Sequence, residues 1–222
     1  MSFRLNIKYY LVHQLGFTNK EAIRAIEYRQ LKVNGEIIEA NIEFNETWDI
    51  YLNDVLLKPK KDYTYIALYK PRGIETTNNP EIPDNLTTVF NFNMHLGYAG
   101  RLDKESEGLL LLSNDGKYIQ QLSSPTYHKE KEYKVTVNQL ITASFLEAMS
   151  NSLDIGICTT KPCTVNQTSE YVFTIILTEG KNKQIRRMCK KLGYGVQQLI
   201  RTRIDTIGLD NLTAGEFRYY SL

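Results

Sequence analysis

Arg101, Asp103, Glu105 and Glu107 crowd into one short stretch, residues 98 to 116, which reads YAGRLDKESEGLLLLSNDG. Several acids beside an arginine raise the chemistry of paired carboxylates, which at a glycosidic bond must flank a sugar at roughly 5–10 Å. Three acids on one short loop suit that arrangement poorly, so Glu105 and Glu107 read as solvated. Leu109 to Leu112 follow at once, an unbroken apolar run closed by Asn114, Asp115 and Gly116. Such a run suits a strand buried on both faces. The acids therefore hang from the edge of a core, where loops on a rigid scaffold carry binding and chemistry; an ordinary surface turn is the competing reading.

A second stretch supplies cations. Lys181, Lys183, Arg186, Arg187, Lys190, Lys191, Arg201 and Arg203 occur with no acidic residue among them. Clustered Lys and Arg form the electrostatic footprint of nucleic-acid binding, the alternative being a solvated helix face. Within this stretch Ile185, Met188, Cys189 and Leu192 recur at helical spacing and Gly193 supplies a stop. At about 100° per residue, Arg187 points away from that stripe, whereas Arg186 falls on its flank and is expected to be half-buried. A guanidinium so placed seeks a carboxylate, and Asp103 is the candidate.

The elements that must position these groups divide into two sets. Leu5, Tyr9, Leu11, Val12 and Leu15 predict a helix ended by Gly16, and Thr18-Asn19-Lys20-Glu21 has the form of a capping box opening a second helix with Ala22, Ile23 and Ile26 on its apolar stripe. Asn34-Gly35 between Leu31-Lys32-Val33 and Glu36-Ile37-Ile38 signals a hairpin, and Trp48–Leu52 with Val55–Leu57 adds a strand pair. Lys58 to Asp62 reads as a linker. Beyond it, strands are expected at Tyr65–Tyr69, the Leu109 run, Tyr133–Val137 and Tyr171–Thr178, and helices at Lys117–Leu122, Thr142–Ser150 and Lys183–Leu192. This order favours an α+β fold with a mixed sheet over a doubly wound one.

The chain of 222 residues is long enough to bury a core without staples, and its net charge of +2 leaves the distribution of charge, not its sum, as the informative feature. Cys158, Cys163 and Cys189 form no C-x-x-C pair, and His13, His95 and His128 are scattered, so no metal site is suggested. Without a long apolar run, no membrane association is expected, and the protein is placed in the cytoplasm.

Gly100-Arg101-Leu102-Asp103, continued through Gly108-Leu109, resembles the catalytic motif of the RNA pseudouridine synthases. Lys70-Pro71-Arg72-Gly73, Lys131-Glu132-Tyr133 and Glu179-Gly180-Lys181-Asn182-Lys183-Gln184-Ile185-Arg186-Arg187-Met188 match further motifs in the same order. Residues 1–60 are similar to an S4 RNA-binding domain through Arg4-Leu5-Asn6, two helices and the Lys32-Val33-Asn34-Gly35 hairpin, leaving 61–222 as the catalytic domain. They depart from that pattern at Asn19-Lys20 and Arg29-Gln30, which bears on how strongly the unit grips RNA. Together these indicate the RsuA-type ribosomal branch. Lys104-Glu105-Ser106-Glu107 and Arg201-Thr202-Arg203-Ile204 resemble its large-subunit (23S) members, which act near the peptidyl-transferase centre.

The resemblance implies isomerisation of a uridine in ribosomal RNA, with no cofactor and no metal, by a monomer; whether a transfer RNA is a second substrate stays open. It assigns Asp103 the essential carboxylate, Arg186 its partner, Tyr133 the ring that stacks on uracil, Arg101 the space left by the flipped nucleotide, and Leu177 the pocket wall. It leaves Lys70, Arg72, Lys181, Lys183, Arg187, Lys190, Lys191, Arg201 and Arg203 to bind RNA. The alternatives are a catalytically idle RNA-binding assembly protein and, more remotely, a glycoside hydrolase.

Overall fold

Asn6 opens the first helix by accepting the Tyr9 backbone N–H at 2.8 Å, and Gly16 closes it in the left-handed region at φ +76°. In the computed structural model, which describes residues 6–58, 62–90, 92 and 94–222, this helix α1 spans Ile7–Leu15. Arg4, Leu5 and most of the expected linker lie outside the described residues. The chain divides into two units, Met1–Tyr63 and Thr64–Leu222.

In the first unit, α1 is followed by α2 (Asn19–Glu27), whose Thr18 and Glu21 form the reciprocal capping box. The buried face of α1 is Ile7 and Leu11, while Tyr9 is 44% exposed and its ring lies tilted against that of His13. Of the expected stripe Leu11, Val12 and Leu15 pack in the core of this unit and Tyr9 does not, because α1 is apolar nearly all round and Ile7 and Tyr10 take inward positions. In α2, Ala25 takes the buried place expected for Ile23. Both helices cover a sheet of β1 (Leu31–Val33), β2 (Glu36–Ile37), β3 (Ile50–Leu52) and β4 (Val55–Lys58), in the order β2-β1-β3-β4. The β1–β2 turn places Asn34 at φ +50° and Gly35 at φ +83°, the pair of positive angles that a tight two-residue hairpin requires.

The second unit contains β5 (Tyr65–Lys70), α3 (Leu86–Val89), β6 (Gly97–Tyr98), β7 (Glu107–Ser113), α4 (Gly116–Ser123), β8 (Lys131–Val137), α5 (Ala143–Ser150), β9 (Thr164–Ser169), β10 (Val172–Leu177), α6 (Gln184–Lys191), β11 (Val196–Ile204), β12 (Ile207–Gly208) and β13 (Phe217–Tyr219). Among the described residues the strands form one sheet ordered β13-β5-β7-β11-β8-β10-β9, with β12 on β11 and β6 on β7. The β7–β11 pairing is parallel and the others are antiparallel, so the sheet is mixed and the fold α+β.

The leucine run is the centre of this unit. Leu109 and Leu111 pack with Ala67, Leu122 and Ile204 on one face, and Leu110 and Leu112 pack with Ile66, Leu68 and Leu86 on the other. Ile185, Met188 and Cys189 seat α6 in a further core with Val135, Ile175, Leu177 and Leu199. Each such side chain contributes roughly 1.5–3 kcal/mol by leaving water. Strand β11, next to β7, was not expected, since its sequence VQQLIRTRI interrupts the apolar pattern with charge.

Candidate active site

The loop from Gly100 to Ser106 is tied down on its flanks. Gly100, at φ +68°, donates its N–H to the Ser123 hydroxyl at 3.0 Å. Leu102, 5% exposed, exchanges two hydrogen bonds with the buried Thr76 hydroxyl, at 2.7 and 3.2 Å. Gly73 N–H reaches the Lys104 carbonyl at 2.8 Å, and Arg72 clamps the Glu105 carboxylate at 2.7 Å. That guanidinium holds the Glu105 carboxyl below the usual range. Asp103 is left half-buried at the mouth of a cavity of about 450 Å³, shared with Tyr133, Leu177, Glu179 and Leu199. A volume in this range accommodates a flipped nucleoside.

Strand β8 delivers Tyr133 to the cavity floor, where register places it opposite Ile175 on one side and Arg201 on the other. Arg186 is half-buried, as its helical phase predicts. Its contact differs from the expectation: Nη2 donates to the Glu105 carbonyl at 2.8 Å and the Ser106 hydroxyl at 3.4 Å, and Nη1 to the Val196 carbonyl at 3.4 Å. Among the described residues no ion pair joins it to Asp103. The guanidinium thus holds the backbone of the Asp103 loop through Nη2, two residues further along the chain, while its buried Nε has no hydrogen-bond partner among the described residues.

The arrangement is a carboxylate on a braced loop that lines one cavity together with a tyrosine ring and aliphatic side chains. A larger hollow of about 800 Å³ in the first unit holds Glu21 and Arg24, but Glu21 is engaged in capping α2, so the chemistry belongs to the second unit. The model of the family described as RNA pseudouridylate synthase matches residues 64–191, which include this whole loop, Tyr133 and α6. The chain belongs to that family. It is 37% identical over 220 residues to the dual-specificity RNA pseudouridine synthase RluF of Escherichia coli K12, covering 98% of this chain and 75% of that protein. It is 30% identical over 215 residues to the ribosomal small subunit pseudouridine synthase A of Haemophilus influenzae, covering 94% and 93%. A crystal structure of a pseudouridylate synthase superposes with a TM-score of 0.68 at 30% identity, over 98% of this chain and 96% of that one. The expected RNA-modifying isomerase is thus the enzyme class of this chain.

The basic residues of this pseudouridine synthase separate into distinct groups. Arg101, Lys181, Lys183, Lys190 and Lys191 are exposed, the first three at the cavity, and Arg187 is half-buried, donating to the Asn182 carbonyl at 3.0 Å. Arg72 is exposed but paired with Glu105. Arg203 donates to Glu130 at 2.9 Å and the Asp205 carbonyl at 2.7 Å, and lies 3.6 Å from Glu132. Two residues expected to bind RNA do not reach the surface. Lys70 is 0% exposed and donates to the Pro71 and Ile74 carbonyls, both at 2.7 Å. Arg201 is 1% exposed and donates Nε to the Leu109 carbonyl at 2.7 Å. Both lie in inner strands, where long-range pairing rather than local charge fixes exposure.

Sequence reasoning missed Glu179 and Gln184, both buried at the cavity. The Glu179 Oε1 accepts from Gln184 at 2.8 Å and from the Lys161 N–H at 3.0 Å, and Gln184 Oε1 accepts the Lys181 N–H at 3.0 Å. This pair shapes the turn that enters α6. Both stand in the Glu179–Met188 motif, which was matched as a whole without assigning either of them a role.

Proposed function

We propose that the protein converts a uridine of ribosomal RNA to pseudouridine, with Asp103 as the essential carboxylate. The observation that carries this reading is the braced, half-buried Asp103 facing Tyr133 in a cavity of nucleoside size. The reaction breaks the N1–C1′ bond, turns the uracil and joins C5 to C1′, with the C5 proton released to solvent and one taken up at N1. It has no net redox change and needs no cofactor. Asp103 either attacks the sugar or takes its C2′ proton; Tyr133 stacks on the displaced base; Arg101 fills the place of the flipped nucleotide; Arg186 positions the loop. Lys181, Lys183, Arg187, Lys190 and Lys191 meet phosphates.

The ribosomal substrate is supported by the named relative from Haemophilus influenzae. The large-subunit RNA near the peptidyl-transferase centre is the finer target, on the wording of the Lys104–Glu107 and Arg201–Ile204 motifs. Residues 1–60 act as an S4-like RNA grip and 61–222 as the catalytic domain, a division supported by the two helices and hairpin of the first unit. On this reading the protein works in the cytoplasm, beside its ribosomal RNA substrate, and as a monomer.

Tritium release from C5-labelled large-subunit, small-subunit and transfer RNAs tests the reading. Release is expected from the first, and the transfer RNA arm asks whether a second substrate exists, as the name of the RluF relative suggests. Asp103→Asn should lower turnover by at least about a hundredfold with RNA affinity kept, a barrier increase of about 2.7 kcal/mol; a mutant above that level would sink the assignment.

A further inference from the structure

Arg201 is a guanidinium sealed inside the sheet. Its side chain is 1% exposed, and only Nε is engaged by a backbone acceptor, the Leu109 carbonyl at 2.7 Å, while Nη2 has no partner. Among the described residues no carboxylate lies within ion-pairing distance of it. Lys131, two residues from Tyr133 on the same face of β8, repels it and is itself held below the usual lysine range, first by burial and then by Arg201. Burial likewise lowers the Arg201 pKa, and the group that opposes this is the hydroxyl of Tyr133.

Such a charge costs several kcal/mol to bury, and an aliphatic side chain of similar length would fill the space without that cost. Its position shows what the charge touches. Arg201 pairs with Tyr133 across β8 and with Gly108 across β7, where the loop carrying Asp103 returns to the sheet. One buried guanidinium therefore lies on the strand position paired with the cavity tyrosine and bonds the strand behind the carboxylate loop.

We propose that Arg201 is a positioning residue for the isomerisation, fixing the Tyr133 hydroxyl from beneath the cavity and registering it against the strand that carries Asp103. It touches no substrate and acts through Tyr133. This rests on the pseudouridine synthase reading of the cavity, and it adds a residue outside the cavity wall to the machinery.

The test is a double-mutant cycle on the full chain with ribosomal RNA, using Arg201→Met, Arg201→Lys and Tyr133→Phe. Arg201→Met should lower kcat by about thirtyfold with KM within about threefold, and cost less than about threefold once Tyr133 is Phe. Arg201→Lys, which keeps the charge and guards against a folding failure of the Met variant, should recover part of the loss. Equal losses in both backgrounds, or an effect confined to KM, overturn the proposal. A second arm needs no turnover: with 3-fluorotyrosine at position 133, Arg201→Met should shift the fluorine resonance of the RNA-free protein. An unmoved resonance overturns the link. Wild-type protein inactive on every RNA would instead count against the functional reading, while the resonance still decides the role of Arg201.

Discussion

Gly108 offers the sharpest stability test, because two separable effects meet there. Its φ is +103°, and a Cβ would lie 2.4 Å from the Arg201 carbonyl oxygen, 2.7 Å from the Arg201 nitrogen and 2.9 Å from the Ile200 Cγ2. The first two contacts are backbone of the neighbouring strand and cannot rotate away. Conformational strain costs about 1–3 kcal/mol and forcing β7 from β11 about 1–3 more, so Gly108→Ala should lose roughly 2–6 kcal/mol out of the 5–15 that holds a typical domain together. Gly100→Ala is the control: φ is +68°, but nothing lies within 4 Å of its Cβ, which leaves strain alone, about 1 kcal/mol. At about 2–4 °C per kcal/mol for a unit of this size, melting followed by far-ultraviolet circular dichroism should fall by about 4–24 °C for Gly108→Ala and about 2–4 °C for Gly100→Ala. Trp48, the single tryptophan, lies in the first unit, so far-ultraviolet circular dichroism and not its fluorescence is the readout for these second-unit variants. Equal shifts for the two variants would refute the close approach of β7 and β11.

Burial holds the Lys70 ammonium down at about 8 instead of 10.5, with Glu107 opposing. Between those values the unfolded chain keeps a proton that the folded chain has released, so stability rises with pH across that window. Relative to Lys70→Met, urea titrations at neutral pH and at pH about 10 should show a gain of up to about 3 kcal/mol; a flat difference would mean that Lys70 is solvated. Removing both Lys190 and Lys191, which are exposed on α6, should reduce the slope of log affinity against log salt by about 1.4–1.8. A slope unchanged in filter binding would turn α6 away from the RNA.

Features governed by neighbours in sequence were legible from it. Thr18 and Glu21 cap α2 three residues apart, Asn34-Gly35 turns a hairpin with its own backbone angles, and the phase of Ile185, Met188 and Cys189 sets the buried face of α6 and leaves Arg186 at its margin. The Leu109–Leu112 run could be read as doubly buried because it has no polar face to leave outside. What was not legible depends on partners far along the chain. Arg201 and Arg203 differ by two residues and on a regular strand would share a face. The register shift between them, where Arg201 meets Tyr133 and Arg203 meets Glu132, breaks that alternation. Arg203 consequently reaches Glu130 and Glu132, whereas Arg201 is buried behind Tyr133. One irregularity in β11 thus sends adjacent cations to opposite uses, and a count of basic residues cannot reveal it. The glycine at 108 also answers to a distant partner: β7 lies so close to Arg201 that a Cβ would meet its backbone, so the motif holds Gly108 for the sake of a strand that starts 88 residues later, at Val196.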